Sequence, residues 1–143
     1  MVGRVIMHIM RTKFIVIDPN FTDIDTHCYF DVSNGRCRAS MEIYADMGML
    51  SDVVKALEAP ELDQPWPKPP LEFDECYLGI WFTVTAQNPH RVLTAKLIES
   101  GVLRADICID LNAEESAELA EDLRHWLKNP VYHFIWKKFG LEC

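Results

Sequence analysis

The stretch Thr26–Ala45, THCYFDVSNGRCRASMEIYA, decides how the chain folds. Apolar and polar residues alternate on both sides of Asn34-Gly35, the period of a strand whose side chains point to opposite faces in turn. Asn-Gly favours a two-residue hairpin turn. That turn predicts Ser33 opposite Arg36, Val32 opposite Cys37, Phe30 opposite Ala39 and Cys28 opposite Met41. One face then carries Thr26, Cys28, Phe30, Val32, Cys37, Ala39, Met41 and Ile43, nearly all apolar. The other face pairs Asp31 with Arg38 and His27 with Glu42. Apolar pattern and charge pairing select the same register. Cys28 and Cys37 share a face but stand too far apart along the ladder for a disulfide.

Working outward, DMGMLSDVVKALEAP follows the hairpin. Leu50, Val53, Val54 and Leu57 fall at i, i+3, i+4 and i+7, one stripe of an amphipathic helix. Asp46 is its expected N-cap and Pro60 its stop. Further on, LEFDECYLGIWFTVTA reads as a long strand with Ile80, Phe82 and Val84 on one face. After the Asn88-Pro89 turn, RVLTAKLIE and LRADICIDL form a second hairpin. An odd loop, Ser100 to Val102, pairs Leu97 with Ala105, Ala95 with Ile107, Leu93 with Ile109 and Lys96 with Asp106. A two-residue loop would break both the apolar and the charge pattern. In NAEESAELAEDLRHWLKNP, Asn112 and Glu115 have capping-box spacing. Leu119, Ala120, Leu123, Trp126 and Leu127 make the buried stripe, with acids early and Arg124, His125 and Lys128 late, as the helix dipole favours. In VYHFIWKKFGLEC, Tyr132, Ile135, Trp136 and Phe139 stand at helical spacing and predict a short C-terminal aromatic helix docked on the body.

The two halves share a plan: a hairpin, a strand ending near an acidic residue, an amphipathic helix, a proline. The expected fold class is α+β, an antiparallel sheet built from two hairpin-or-meander-plus-helix halves with the helices packed on one face. A chain of 143 residues fits one domain. Its halves run from about 13 to 60 and from 71 to 129, with a tail over 130–143. Between the halves lies PELDQPWPKPP (60–70), which holds five of the eight prolines. Polyproline geometry makes this segment stiff, and Leu62 and Trp66 are apolar anchors a flexible linker would not need. It is read as a strap joining the halves, with Trp66 as its anchor.

Net charge is −8, which argues against nucleic-acid binding, since phosphate contacts need clustered Lys and Arg. The opening MVGRVIMHIMRTKFIVID is interrupted by His8, Arg11 and Lys13 and is not read as a signal peptide. The expectation is a cytoplasmic protein with no membrane span, and Met1, Met7 and Met10 are alternative starts. Five cysteines, odd in number and without CxxC spacing, read as reduced thiols, with Cys143 terminal and exposed.

No cofactor or metal is expected. His8, His27, His90, His125 and His133 are scattered over separate elements, without HExxH or Cys/His zinc spacing. His125 and His133 are close enough in sequence to approach each other, but a surface histidine beside a helix end is the simpler reading. There is no GxSxG, GxGxxG or GxxxxGK[ST], and Cys108 sits mid-strand with nothing to activate it. The neighbouring carboxylates Asp23/Asp25, Asp74/Glu75, Glu114/Glu115 and Glu121/Asp122 read as solvated charge. Trp81 alternates with inward residues and is expected to be partly buried beneath the tail or the strap. Trp66, Trp81, Trp136 and Phe139 are the candidate interaction residues.

The strand-to-helix junctions at Glu42–Asp46 and Asp106–Glu115, with the overall acidity, resemble those of small uncharacterised bacterial α+β proteins with two strand-rich halves, each closed by a helix. The resemblance covers roughly residues 25 to 127. Some members of this group resemble immunity proteins that neutralise bacterial toxins. The resemblance implies a protein partner and no defined catalytic residues; the strap and the aromatic tail are not among its features. The first functional reading is therefore a non-enzymatic interaction module that meets a toxin or another basic partner. The alternatives are a small-ligand binder or enzyme with a pocket between sheet and helices, and a structural homo-oligomer paired through an edge strand or the tail.

Overall fold

A computed structural model of the chain describes residues 11–19, 27–44 and 46–140. Met1, Met7, His8, Met10, Asp23, Asp25, Thr26 and Cys143 lie outside these. In chain order the elements are β1 (Arg11–Pro19), β2 (His27–Asn34), β3 (Arg38–Tyr44), α1 (Met47–Glu58), β4 (Gly79–Gln87), β5 (His90–Glu99), β6 (Val102–Leu111), α2 (Ala113–Leu127) and β7 (Phe134–Gly140). The strands line up as β6-β5-β4-β3-β2-β1-β7. Two antiparallel blocks, β7-β1-β2-β3 and β4-β5-β6, meet at one parallel pairing, Tyr44 with Gly79.

The fold is α+β, with both helices over one face of the sheet. Ile15, Ile17, Cys28, Phe30, Val32, Ile80, Phe82, Val84, Leu93, Ala95, Ile107 and Ile109 point inward and form one core with Leu50, Val53, Leu57, Leu119, Leu123 and Trp126 of the helices. The helices begin where their caps place them. Asp46 accepts from the Met49 N–H, and Asn112 and Glu115 form a reciprocal capping box, together satisfying backbone donors that have no intrahelical acceptor.

The first hairpin keeps its apolar face but not its register. Ser33 lies opposite Arg38, Val32 opposite Ala39, Phe30 opposite Met41 and Cys28 opposite Ile43. The slip is two residues, so the paired residues keep the expected alternation, whereas Cys37, expected on the apolar face, lies exposed in the turn. Its cause is Asn34, whose side-chain oxygen accepts from the backbone N–H of both Arg36 and Cys37, at 2.8 Å each. This side-chain turn opens the connection to Asn34–Cys37. Arg38 still reaches Asp31, now diagonally, at 2.9 and 2.6 Å, whereas Glu42 stands opposite Tyr29 and His27 opposite Tyr44.

In the second hairpin, Leu97–Ala105, Ala95–Ile107, Leu93–Ile109 and Lys96–Asp106 pair as expected. The odd residue is a bulge just past Leu97, and the tip is a two-residue Ser100-Gly101 turn with both φ positive. β4 begins at Gly79. Residues 71–78, read from sequence as strand, form instead a turn-rich loop in which Phe73 stacks on Tyr77 at 4.8 Å between ring centroids and packs edge-on to Trp81.

The tail is a strand, not a helix. β7 pairs antiparallel with β1, Ile15 opposite Trp136 and Ile17 opposite Phe134. Phe134 and Trp136 face the core, while Ile135 and Phe139 are exposed, a period of two that the apolar spacing of the segment also permits. The unpaired edge of β1 decides between the two, because its backbone groups need partners.

The strap is anchored by backbone and by Pro67 rather than by the Trp66 ring. Trp66 and Val84 exchange backbone hydrogen bonds of 3.0 and 2.8 Å, which extends pairing along the edge that β4 turns toward β3. The Pro67 carbonyl accepts from Trp81 Nε1 at 3.2 Å and Thr83 Oγ1 at 3.1 Å. The Trp66 side chain is 39% exposed. At the far edge of the sheet, β6 is capped by side chains of the first half: Asn34 Nδ2 donates to the Cys108 carbonyl and Lys13 Nζ to that of Asp110.

Candidate functional site

α2 and β7 lie side by side and run antiparallel. Lys138 binds Glu118 at 2.6 Å near one end, and Trp126 meets Phe134 at 5.8 Å between ring centroids near the other. Eight helical residues rise about 12 Å and four strand residues about 13 Å, so the two contacts are in step. Trp126 Nε1 also donates to the Tyr132 carbonyl at 2.6 Å, fixing the turn that leads into β7.

Where helix and strand diverge, they leave an open cleft of about 720 Å³ lined by Glu121, Asp122, His125, Trp126, Lys128, Asn129, Tyr132, His133, Phe134 and Ile135. Its floor is apolar, from Trp126 and Phe134. Its rim carries Tyr132 and Ile135, 68% and 55% exposed. The helix wall is acidic. Glu121 is tied to Arg124, which also bridges to Glu58. Asp122 has no ion pair or hydrogen bond to another described side chain. Asp122 is exposed; what desolvation it has, with the nearby charges of Glu118 and Glu121, pushes its carboxyl above the ordinary range, against the opposing pull of Lys138 and His125. On the strand side, His133 Nε2 lies 2.9 Å from Asp18.

Of this wall, Glu121 already has a cation in Arg124, and His125 and Lys128 line the cleft beside the acids. A carboxylate destabilised by neighbouring carboxylates is relieved by a cation in the same place, and an aromatic rim adds apolar and cation–π contact. Among the described residues, no group of three His, Cys, Asp or Glu side chains is arranged to hold a metal ion.

The sequence candidates are scattered. Trp136 is in the core, 1% exposed, and is not a surface residue; it lies on the inward face of a strand. Phe139 is exposed near the end of β7, Trp81 is half-buried under the strap, and Trp66 lies on the strap, away from the cleft. Of the carboxylate pairs read as solvated, Glu121/Asp122 lines the cleft and Glu115 is bonded to Lys13. His125 and His133 line the same cleft. Between sheet and helices, where Ile15, Leu50, Phe82 and Leu119 meet, the space is about 10 Å³ and entirely apolar, without the polar partners that even one buried water needs.

No helix is long and apolar enough to cross a membrane among the described residues. No family model, curated protein or solved structure matches the chain.

Proposed function

We propose that the chain is a non-enzymatic interaction module that holds a basic protein partner in the cleft between α2 and β7. The observation that carries this reading is Asp122: an exposed carboxylate with no ion pair or hydrogen bond to another described side chain, near Glu118 and Glu121, beside an apolar floor and an exposed aromatic rim. A Lys or Arg side chain from a partner adds a direct countercharge, while Tyr132 and Ile135 bury its aliphatic stem. The net charge of −8 accelerates the encounter with such a partner.

A bacterial toxin is one form this partner takes, in keeping with the resemblance of the strand-to-helix junctions. A cytoplasmic setting belongs to the same reading and is supported by the free, exposed thiols of Cys37, Cys76 and Cys108. The test is capture of a stoichiometric partner by wild type and by two charge reversals, Asp122→Lys in the cleft and Glu72→Lys on the exposed loop after the strap. The expected result is a partner released by salt, lost with Asp122→Lys and retained with Glu72→Lys. Equal capture by both variants overturns the reading.

A further inference from the structure

Both helices cover one face of the sheet, and no described element lies over the opposite face of the block β7-β1-β2-β3. The strand registers set the outward side chains of that face in rows. Lys137, Phe14, Ser33 and Arg38 form one row, Ile135, Val16, Asp31 and Ser40 the next, and Asp18, Tyr29 and Glu42 the third. One outer row is cationic, the other is acidic, and the row between them begins with two aliphatic side chains. Arg38 lies over the Phe14 ring at 5.3 Å and binds Asp31 at 2.6 Å, so these side chains share the face and the carboxylate at its centre is neutralised. Tyr29, Arg38, Ile135 and Lys137 are exposed. Lys137 has no ion pair with another described residue.

A two-fold axis lying in this face, along the middle row, inverts the order of the rows. We infer that the outer face of β7-β1-β2-β3 packs on the same face of a second copy of the chain, cationic row over acidic row. Each strand then lies over its own counterpart. Arg38 faces Glu42 of the second copy along β3, Lys137 faces the second copy's Asp18 beside His133, and Ile135 and Val16 meet themselves on the axis. Twisted sheets stack in this way about 10 Å apart, with strands within about 30° and side chains interdigitated. The apolar side chains supply the attraction and the charged rows set the register. A net charge of −8 opposes self-association, but this face holds two cations, Lys137 and Arg38, against three acids, Asp18, Asp31 and Glu42. Most of the excess therefore lies elsewhere and is screened beyond about 8 Å in physiological salt. The overlapping rows span roughly 20 Å by 20 Å, about half the ~800 Å² per partner of a standard interface, so the pairing is weak and reversible. It does not depend on what the cleft holds, although Ile135 and His133 border both surfaces.

Sedimentation equilibrium of the full chain over a concentration series, at about pH 8 to keep histidine neutral, tests this. Wild type is expected to show a reversible monomer–dimer equilibrium. Lys137→Glu and Asp18→Lys each set like charges against one another at both symmetric contacts. Either is expected to raise the dimer dissociation constant roughly tenfold or more. In a mixture of the two variants, a heterodimer again has opposite charges at both contacts, so mixing is expected to restore dimers. The doubly changed chain, Asp18→Lys with Lys137→Glu, restores both contacts within a homodimer and is expected to behave like wild type. A wild type that stays monomeric throughout overturns the inference. So do single variants that dimerise as wild type does. A mixture and a doubly changed chain that both remain monomeric, while melting cooperatively, overturn it as well.

Discussion

Lys13 and Glu115 are separated by 102 residues of sequence, yet the Lys13 ammonium donates to the Glu115 carboxylate at 2.9 Å. Glu115 is also the acceptor in the α2 capping box, taking the Asn112 N–H at 3.0 Å. One carboxylate thus holds the start of α2 and ties strand β1 to it. Burial pushes this carboxyl up, but the Asn112 N–H and the Lys13 ammonium together outweigh it and leave its pKa below the ordinary 4.5. An acid with a depressed folded pKa stabilises the protein above its unfolded value, and the contribution is lost as pH falls through the folded value. Lys13→Met is expected to cost about 1–3 kcal/mol at pH 7, with the deficit shrinking below pH 4.5. Urea denaturation at pH 7 and pH 3 checks this. A deficit equal at both would mean that the charge pair is not its source.

Trp136 and Phe139 would lie on one stripe of a helix but lie on opposite faces of β7. Trp136→Ala is expected to cost about 3–5 kcal/mol and Phe139→Ala no more than about 0.5 kcal/mol. Trp136 Nε1 is buried without a hydrogen-bond partner among the described residues, so Trp136→Phe removes an unsatisfied donor and is expected to cost well under half as much as the alanine change. Chemical denaturation of the three variants separates strand from helix, because a helix would make the two alanine changes similar.

The same carboxylate that recommends the cleft as a binding site burdens the free protein. The folded pKa of Asp122 is raised, so its charged form is less favourable in the folded chain than in the unfolded one. Asp122→Asn is therefore expected to raise stability at neutral pH. The gain appears as pH climbs through the ordinary aspartate value of 3.8 and is absent below it, where wild type is protonated too. Melting curves at pH 3 and pH 7 test this. Asp122→Asn less stable than wild type at pH 7 would contradict it.

The apolar alternation and the helix caps carried most of the fold, and the places where they did not are of one kind. Asp46, Asn112 and Glu115 act within a turn of their own backbone, so local sequence places both helices. Lys96 and Asp106 sit directly opposite each other, so the second hairpin is legible to the residue. A slip of two residues in the first hairpin keeps the alternation of the paired residues, and alternation cannot detect it; the Asn34 side chain makes that choice and takes Cys37 into the exposed turn. The tail is ambiguous in sequence because Tyr132, Ile135, Trp136 and Phe139 satisfy a helical period while Phe134 and Trp136 satisfy a strand period. What selects the strand is the open edge of β1, more than a hundred residues earlier in the chain. The cleft was hidden for the same reason. Glu121 and Asp122 are adjacent on a helix surface and stay exposed, as read; only their place beside β7 depends on contacts distant in sequence.

Gly101 closes the second hairpin against the loop after the strap. Its φ is +76°, and a Cβ there would clash with the Asp74 carbonyl oxygen; its N–H donates to the Tyr77 carbonyl at 3.0 Å. Gly101→Ala meets both an unfavourable backbone region and a backbone clash, and is expected to cost about 1–3 kcal/mol. Ser100→Gly, at φ +52°, serves as the control and is expected to stay within about 0.5 kcal/mol of wild type. Thermal melts of the pair decide it, equal values counting against the docked tip.

The side chains that cap the β6 edge also set the order in which the chain assembles. Each hairpin and each capped helix joins residues close in sequence and forms without closing a long loop. The Asn34–Cys108, Lys13–Asp110 and Lys13–Glu115 bonds span 74, 97 and 102 residues, and the entropy of closing such loops defers them to the end. During synthesis, the first half must therefore leave the ribosome with Lys13 and Asn34 unengaged and wait for its partner half. Bonds made that late are expected to lie on the native side of the folding barrier, so Asn34→Ala is expected to speed unfolding and leave the folding rate nearly unchanged in stopped-flow measurements.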